Sequence, residues 1–531
     1  MPRDEIDILI RGATIYDGTG KKSFVADVAI QKDKIVHIGH ITEKAKKIIE
    51  AKNLILCPGF IDIHSHSDYF LLMNPTADSK ITQGVTTEIG GNCGYAAAPI
   101  WGEAKERRQT EYQKYYKLKL GWSHLKDYFE RLEKEKIAVN YGQLIGHNTL
   151  RQSTMGSVNR PATSKEIQEM MQGLKEGMKE GAVGLSTGLI YPPACYSNTE
   201  EVLELGKACK EMGGIFTFHM RSESDKVVEA VTEVLETAKK TGVPVQISHI
   251  KTSGQRNWYK ITEIFNLIER AQKEGIDVEC DRYPYIASQT GLMQVLPDWT
   301  FEGGAKGLVQ TLKDPQKREK IKKEVLELHP PKEDYLNKVL IMEVMSQKNK
   351  IFEGLTVQKA AQKANKEVFE FLFDLLIEEE AAISAIYFTM SEENLKNFLT
   401  KDYIFVASDS GCRSVKGPLA KGSPHPRIFG TFPRVIRKYV KEEKLLSLST
   451  AIYKMTWQPA QRFKLDKRGK IEEGYFADLV LFDLDKICDK SDFLDPFHYC
   501  EGIEYVFVNG QCALEKGKQT GQRAGRVLRK N

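Results

Sequence analysis

The sequence has few cysteines for its length, and none of them lie in closely spaced pairs. Nine occur among 531 residues, without any Cys-x-x-Cys spacing. This distribution excludes a disulfide framework and a zinc ribbon. It favours reduced thiols, so we expect a cytoplasmic protein.

Long apolar runs and an excess of one charge are also missing. No run of about eighteen apolar residues occurs, so we expect no membrane span. Residues 1–7 are polar, unlike the apolar core of a secretory signal. Lys and Arg (77) are interspersed with Asp and Glu (72), and the net charge of +5 predicts no nucleic-acid partner.

The two ends of the chain have similar patterns, with short strands separated by glycine turns. Asn509-Gly510 is typical of a hairpin turn. Because chain termini often lie close together, we predict one small β-sandwich domain formed by residues 1–58 and 466–531. The segments with strand-like patterns are 6–15, 25–38, 48–56, 474–484 and 503–514.

Residues 59–465 alternate between strand and helix patterns. Thr163 and Glu166 form a capping-box sequence before a helical stripe of apolar residues. Repeated units of this kind predict an α/β fold, a (β/α)8 TIM barrel, which places its active site at the carboxyl ends of the strands. The predicted strands include 213–219, 243–249, 276–280, 383–388 and 403–407.

Residues from about 286 to 350 break this rhythm. They are rich in Lys, Glu and Pro and show no clear alternation. We interpret them as an insertion near the mouth of the barrel.

The most informative motif is PGFIDIHSHSD at 58–68. Residues i and i+2 of a strand point to the same side, so His64 and His66 direct two imidazoles at one point. Two imidazoles with a nearby carboxylate suit a divalent ion such as zinc.

Other strand ends carry further candidate ligands. Cys93 follows the next strand. Later strands end in or lead into His219, His249 and Asp409. A lone histidine at a strand end is more often a hydrogen-bonded core residue, but the set after an HxH motif predicts a metal site. A catalytic zinc keeps one position open for water and lowers its pKa from about 16 to about 7. A neighbouring carboxylate can then accept the proton.

Motifs spread over almost the whole chain resemble those of the D-aminoacylases, the N-acyl-D-amino-acid deacylases of the amidohydrolase superfamily. Cys93 together with the run HPRIFGTFPRV is the most specific part of the resemblance. The motifs are PGFIDIHSHSD (58–68), GNCG (91–94), GHNTLR (146–151), GLSTGLIYPP (184–193), FHMRSE (218–223), SHIK (248–251), DRYPY (281–285), ASD (407–409), HPRIFGTFPRV (425–435), KMTWQPA (454–460), RGKIEEGYFADLVLFD (468–483) and VNG (508–510).

This resemblance implies two metal positions. One tightly bound zinc ion would be held by Cys93, His219 and His249. A second, weakly occupied position would be formed by His64, His66 and Asp409, with Asp409 also acting as general acid and base. Many members of the superfamily bridge two metals with a carboxylated lysine. Here Ser186 stands where that lysine is expected, which makes Cys93 the implied bridge.

A substrate of this family carries an α-carboxylate, which requires fixed positive charge. The resemblance assigns this carboxylate to Lys251, Tyr283 and Arg427. Lys251 lies two residues after His249 and shares its face if the strand continues.

The predicted function is zinc-dependent hydrolysis of N-acyl-D-amino acids, in which a metal-activated water attacks the acyl carbonyl. The products are a carboxylate and a free D-amino acid, and the D configuration is implied by the resemblance alone. The alternatives are a cyclic-amide hydrolase of the dihydropyrimidinase or hydantoinase type, an N-acyl dipeptide hydrolase and a non-catalytic scaffold. The expected partner is a small molecule, and the sequence is compatible with a homo-oligomer.

Overall fold

The computed structural model describes residues 6–530, apart from the side chain of Tyr115. Its strands are Ile6–Ile15 (β1), Phe24–Gln31 (β2), Lys34–Gly39 (β3), Ala45–Glu50 (β4), Ile55–Pro58 (β5), Phe60–Asp62 (β6), Val85–Gly90 (β7), Asn140–Gly146 (β8), Gly184–Gly188 (β9), Ile215–His219 (β10), Val245–Ile247 (β11), Val278–Arg282 (β12), Ser288–Gly291 (β13), Val339–Glu343 (β14), Ser384–Tyr387 (β15), Ile404–Val406 (β16), Leu479–Phe482 (β17), Ile503–Val508 (β18), Gln511–Glu515 (β19) and Lys518–Gln519 (β20).

The α-helices in the same part of the chain are Phe70–Met73 (α1), Asp78–Ile81 (α2), Gly102–Tyr116 (α3), Leu125–Glu135 (α4), His147–Met155 (α5), Ser164–Lys179 (α6), Thr199–Glu211 (α7), Val227–Thr241 (α8), Ile261–Lys273 (α9), Gly304–Leu312 (α10), Pro315–Leu328 (α11), Val357–Lys363 (α12), Val368–Glu378 (α13), Glu392–Leu399 (α14), Arg427–Arg434 (α15), Leu448–Met455 (α16) and Trp457–Arg462 (α17). None of the helices between residues 6 and 530 is long and apolar enough to cross a bilayer.

Both ends of the chain contribute strands to one nine-stranded sheet. Its order is β20-β19-β18-β17-β5-β1-β2-β3, with β4 paired to β1. The link between the ends is the antiparallel pairing of β5 with β17, where Leu56 lies opposite Leu481. Both side chains are fully buried in a core shared by the N- and C-terminal strands.

The central part of the chain forms an eight-stranded parallel sheet in the order β16-β12-β11-β10-β9-β8-β7-β6. A parallel bridge between Ser65 and Ser410, just beyond β6 and β16, joins its two ends. The predicted fold class, a (β/α)8 barrel with a small β-domain from both termini, is therefore confirmed. The capping box of Thr163 and Glu166 also forms as predicted, at the start of α6.

One predicted strand has a different role from the one expected. Residues 384–387 (β15) form a strand but do not join the barrel. They pair antiparallel with β13 and β14 in a separate three-stranded sheet. The segment between β12 and β16 that carries this sheet has its own apolar core, which includes Leu308, Ile341 and Leu372. The inserted unit thus extends past residue 350, to 387.

A buried lysine ties three elements of the barrel together below the strand ends. Lys80 lies in α2 and is fully buried. Its ammonium group lies 2.7 Å from Asp62 Oδ2 of β6 and 3.2 Å from Glu88 Oε1 of β7. It also donates to the Ser408 hydroxyl (2.9 Å) and the Ser410 carbonyl (2.8 Å) beyond β16.

We expect Lys80→Met to lower the free energy of unfolding by about 3–5 kcal/mol, because it leaves buried carboxylates without their counter-ion. Urea denaturation followed by circular dichroism measures this change. Lys21→Met is the control, since Lys21 is exposed near the start of β2. Equal midpoints for the two variants would contradict the expectation.

Candidate metal centre and active site

The first histidines of the site are fixed by main-chain pairing with both neighbouring strands. Beyond β6, the Ser65 amide donates to the Ile89 carbonyl at 3.0 Å. On the other side, the Asp409 amide donates to the His64 carbonyl at 2.9 Å, and the His66 amide to the Ser410 carbonyl at 3.2 Å. The HxH segment therefore continues the barrel wall, with its side chains directed into the barrel mouth.

Four candidate ligands have converging donor atoms. The ligand atoms of His64, Cys93, His249 and Asp409 all lie within 4.8 Å of one another, and the four residues are buried. Cys93 Sγ lies 3.2 Å from His64 Nε2 and 3.5 Å from His249 Nε2. His64 Nε2 is 3.4 Å from Asp409 Oδ1.

The other two predicted ligands border this group. His66 Nε2 lies 3.1 Å from Asp409 Oδ1, and its side chain is 33% exposed. The ring of His219 meets that of His249 edge-on, with centroids 4.4 Å apart. Among the described residues, neither ring nitrogen of the buried His219 has a hydrogen-bond partner. The structure thus brings all six predicted metal ligands together.

Three of these residues have an unusual backbone conformation. Cys93, His249 and Asp409 have φ values of 52°, 35° and 50°. The left-handed region costs residues other than glycine about 1–3 kcal/mol each, and such residues cluster at functional sites. Each turn directs its side chain toward the shared centre.

Ser186 supports the loop that carries Cys93. Its hydroxyl accepts a hydrogen bond from the Gly94 amide at 3.0 Å and donates to the Gly91 carbonyl. Gly94 has φ +79°, and a Cβ there would lie 1.8 Å from Asn148 Oδ1. Ser186, which stands where the carboxylated lysine is expected, therefore supports the GNCG loop through hydrogen bonds.

Two carboxylates that sequence reasoning missed orient the histidines. His64 Nδ1 lies 2.9 Å from Asp281 Oδ1, and His249 Nδ1 lies 2.9 Å from Glu223 Oε1. A carboxylate on Nδ1 fixes the tautomer in which Nε2 is free to bind a metal. Both acids lie in motifs already recognised, FHMRSE and DRYPY, and Asp281 follows the pattern of polar residues at strand ends.

The surrounding charges favour the ionised forms of two candidate ligands. Burial opposes ionisation of Cys93, but His64 and His249 outweigh it and hold the pKa of the thiol well below its ordinary value. Burial also opposes ionisation of Asp409, yet Arg427 and the histidines hold its pKa well below the usual range. A thiolate and a carboxylate are the forms that bind metal.

This donor set fits a zinc-type ion. Thiolate and imidazole are preferred ligands of zinc, and a buried imidazole without partners is costly unless it binds something. Cys93 supplies a thiolate 3.5 Å from His249 Nε2, and the ring of His219 packs against that of His249, so one thiolate and two imidazoles are available.

A cavity of about 1000 Å³ opens onto this centre, and the three predicted carboxylate-binding residues line it. The Tyr283 ring lies between the two cations, with its centroid 5.9 Å from Lys251 Nζ and 4.6 Å from the Arg427 guanidinium carbon. The Tyr283 hydroxyl has no hydrogen-bond partner within the described chain. Arg427 Nη1 pairs with Asp409 Oδ2 at 2.8 Å, a contact not foreseen from the sequence.

Replacing Cys93 by alanine removes the thiolate of the cluster, so we expect the variant to retain at least about tenfold less zinc. Zinc content after gel filtration, measured by mass spectrometry, tests this. Cys512→Ala is the control, because Cys512 lies on β19 of the terminal sheet. Undiminished zinc in the Cys93 variant would refute the assignment.

Comparison with known proteins agrees with this geometry. The Amidohydrolase family profile matches residues 47–290 and 418–513. A D-aminoacylase from Alcaligenes xylosoxydans xylosoxydans is 34% identical over 98% of this chain and 97% of its own length. A D-aminoacylase structure described by one-metal activation and second-metal attenuation of a binuclear centre is 32% identical, with a TM-score of 0.83 over 99% of this chain and 100% of that one.

A further solved relative is the N-acyl-D-glutamate deacylase of Bordetella bronchiseptica, in complex with zinc and a phosphonate that mimics the tetrahedral intermediate. It is 29% identical, with a TM-score of 0.83 over 99% of this chain and 100% of that one. The match of fold, length and sequence shows that this chain belongs to the amidohydrolase family, in its D-aminoacylase group.

Proposed function

We propose that this protein hydrolyses the amide bond of N-acyl-D-amino acids and releases a carboxylate and a free D-amino acid. One observation carries the proposal: a thiolate–imidazole cluster opens into the same cavity as Lys251, Tyr283 and Arg427. Residues that can hold a Lewis-acid metal therefore lie next to positively charged side chains that can bind an α-carboxylate. The D configuration follows from the deacylase relatives.

Cys93, His219 and His249 are the proposed ligands of one tightly bound zinc ion. His64, His66 and Asp409 are proposed for a second, weaker position. When bound, zinc supplies a Lewis acid that polarises a carbonyl and makes a water molecule more acidic. Nε2 of each ring would be the ligand atom in His64 and His249, because Asp281 and Glu223 lie 2.9 Å from their Nδ1 atoms.

Asp409 is the proposed general acid and base. Its Oδ1 faces His64 and His66 while its Oδ2 pairs with Arg427, so the carboxylate is fixed at the barrel mouth. In this position it accepts a proton from water and returns it to the leaving amino group. Arg427 keeps it ionised before the reaction.

Lys251, Tyr283 and Arg427 are the proposed anchors of the substrate α-carboxylate. The phenol of Tyr283 and Nε of Arg427 have free hydrogen-bonding capacity in the described structure. The first residue of α15, Arg427, is held by His425, whose Nδ1 accepts its amide at 3.0 Å while Nε2 donates to the Ala287 carbonyl at 2.9 Å.

Cyclic-amide hydrolysis is less well supported. The full-length relatives at 34% and 29% identity are a D-aminoacylase and an N-acyl-D-glutamate deacylase. A serine, Ser186, stands where the carboxylated lysine is expected. A non-catalytic scaffold is disfavoured because the six candidate ligands lie close together and carboxylates contact Nδ1 of His64 and His249. We also place the protein in the cytoplasm, since its nine cysteines are free. A homo-oligomer remains a prediction.

We expect amino acid release from N-acetyl-D-amino acids and not from their L enantiomers, with about one zinc per chain. A panel of both enantiomers, N-acetyl dipeptides, hydantoins and dihydrouracil checks this by amine detection and absorbance. Ring opening without deacylation would overturn the proposal in favour of a cyclic-amide hydrolase.

We expect Asp409→Asn to lower kcat by about 10²–10⁴-fold, because the amide cannot carry the proton. The zinc content measured on the same sample shows whether the tight metal is retained. Asp402→Asn is the control, because Asp402 is exposed in the turn just before β16. Near-normal turnover of the Asp409 variant with normal zinc would rule out this role.

A further inference from the structure

Glu223 lies close to three functional groups at once: Lys251, His249 and His219. It lies in the loop between β10 and α8, four residues after His219, and its side chain is only 13% exposed. Oε1 contacts both the Lys251 ammonium group and His249 Nδ1, the latter at 2.9 Å. Oε2 is 3.8 Å from His219 Nε2.

Lys251 competes with Glu223 for the same ring nitrogen. Its Nζ lies 2.8 Å from His249 Nδ1. An ammonium group can only donate a hydrogen bond, whereas an ionised carboxylate can only accept one. The tautomer of His249 therefore depends on which of the two neighbours pairs with Nδ1.

Only one of these pairings leaves His249 able to bind a metal. If Glu223 accepts the Nδ1 proton, Nε2 has a free lone pair directed at Cys93, 3.5 Å from Sγ. If Lys251 donates to Nδ1, the ring proton must sit on Nε2, which then cannot coordinate. Glu223 Oε1 contacts both Nζ of Lys251 and Nδ1 of His249, so it is placed to accept a proton from each and to favour the first arrangement.

The same ion pair fixes Lys251. A lysine side chain has many rotamers, and ordering it costs up to about 2 kcal/mol. The contact with Glu223 holds the ammonium group at the cavity wall, beside the Tyr283 ring. A substrate carboxylate then meets a charge that is already oriented.

We propose that Glu223 is a positioning residue that couples the metal centre to the α-carboxylate subsite. It selects the metal-binding tautomer of His249 and orients Lys251 for the substrate. The substrate half of this inference rests on the proposed function, whereas the metal half does not.

Two substitutions of Glu223 distinguish its role toward His249 from its role toward Lys251. Glu223→Gln keeps an oxygen that can accept the Nδ1 proton but loses the charge that holds Lys251. We expect its zinc affinity to stay within a few-fold and its KM to rise about tenfold, as for loss of one charge-assisted contact. Glu223→Ala loses both functions, and we expect its zinc affinity to fall about 10–100-fold.

The double variant Glu223→Ala/Lys251→Ala tests the competition directly. Removing the ammonium donor frees Nδ1, so we expect zinc affinity to recover by at least several-fold relative to Glu223→Ala. The matched control is Glu233→Gln. Glu233 lies in α8, and its partly buried carboxylate pairs with Arg221. We expect that control to bind zinc like the unaltered protein.

Zinc affinity is measured by competition with a chromophoric chelator on the full-length protein, and KM and kcat at saturating zinc on an N-acetyl-D-amino acid. Unaltered zinc affinity in Glu223→Ala, or a double variant as weak as Glu223→Ala, would overturn the tautomer role. An unchanged KM in Glu223→Gln would overturn the Lys251 role. If the unaltered protein hydrolyses no N-acyl amino acid, the proposed function and its substrate half fail, while the zinc measurements still decide the tautomer role.

Discussion

The main-chain hydrogen bonds that join the end of β16 to the end of β6 are the constraint on which the site depends. They place Asp409 beside His64 and His66, although Asp409 and His66 are 343 positions apart in sequence. Below them, Lys80 pairs with carboxylates of β6 and β7 and hydrogen-bonds to Ser408 and Ser410. With these contacts the barrel closes, and only a closed barrel directs the strand ends to one point.

The charges of the site form linked pairs. Arg427 faces Asp409, Lys251 faces Glu223, and Asp281 faces His64. Buried charges are tolerated only when they are paired and hydrogen-bonded. Arg427 stabilises the ionised form of Asp409, and Lys251 that of Glu223. Asp281 orients the His64 ring through Nδ1. Together these pairs shape a metal-binding site next to a site for a substrate carboxylate, as hydrolysis of an N-acyl amino acid requires.

The inserted unit between β12 and β16 forms the outer wall of the cavity. Arg256, in the loop after β11, holds Asp225 of the β10–α8 loop through two nitrogens at 2.7 and 2.8 Å. The same guanidinium reaches Glu333 of the inserted unit at 3.1 Å. This bridge fastens the inserted unit to the two barrel loops that follow His219 and His249, so the wall and the ligand loops are mechanically connected.

The sequence by itself determined the features that depend on local geometry. The two-residue period of a strand placed His64 and His66 on one face, and the strand–helix rhythm predicted a barrel with ligands at the strand ends. The tertiary structure decided which strand pairs with which. Residues 384–387 have a strand pattern but lie in the inserted sheet, because alternation predicts a strand without identifying its neighbour. The pairing of Arg427 with Asp409, and the contacts of Asp281 and Glu223 with the histidines, likewise required the closed barrel. These side chains become neighbours only when strands distant in sequence converge, and no local pattern encodes that distance.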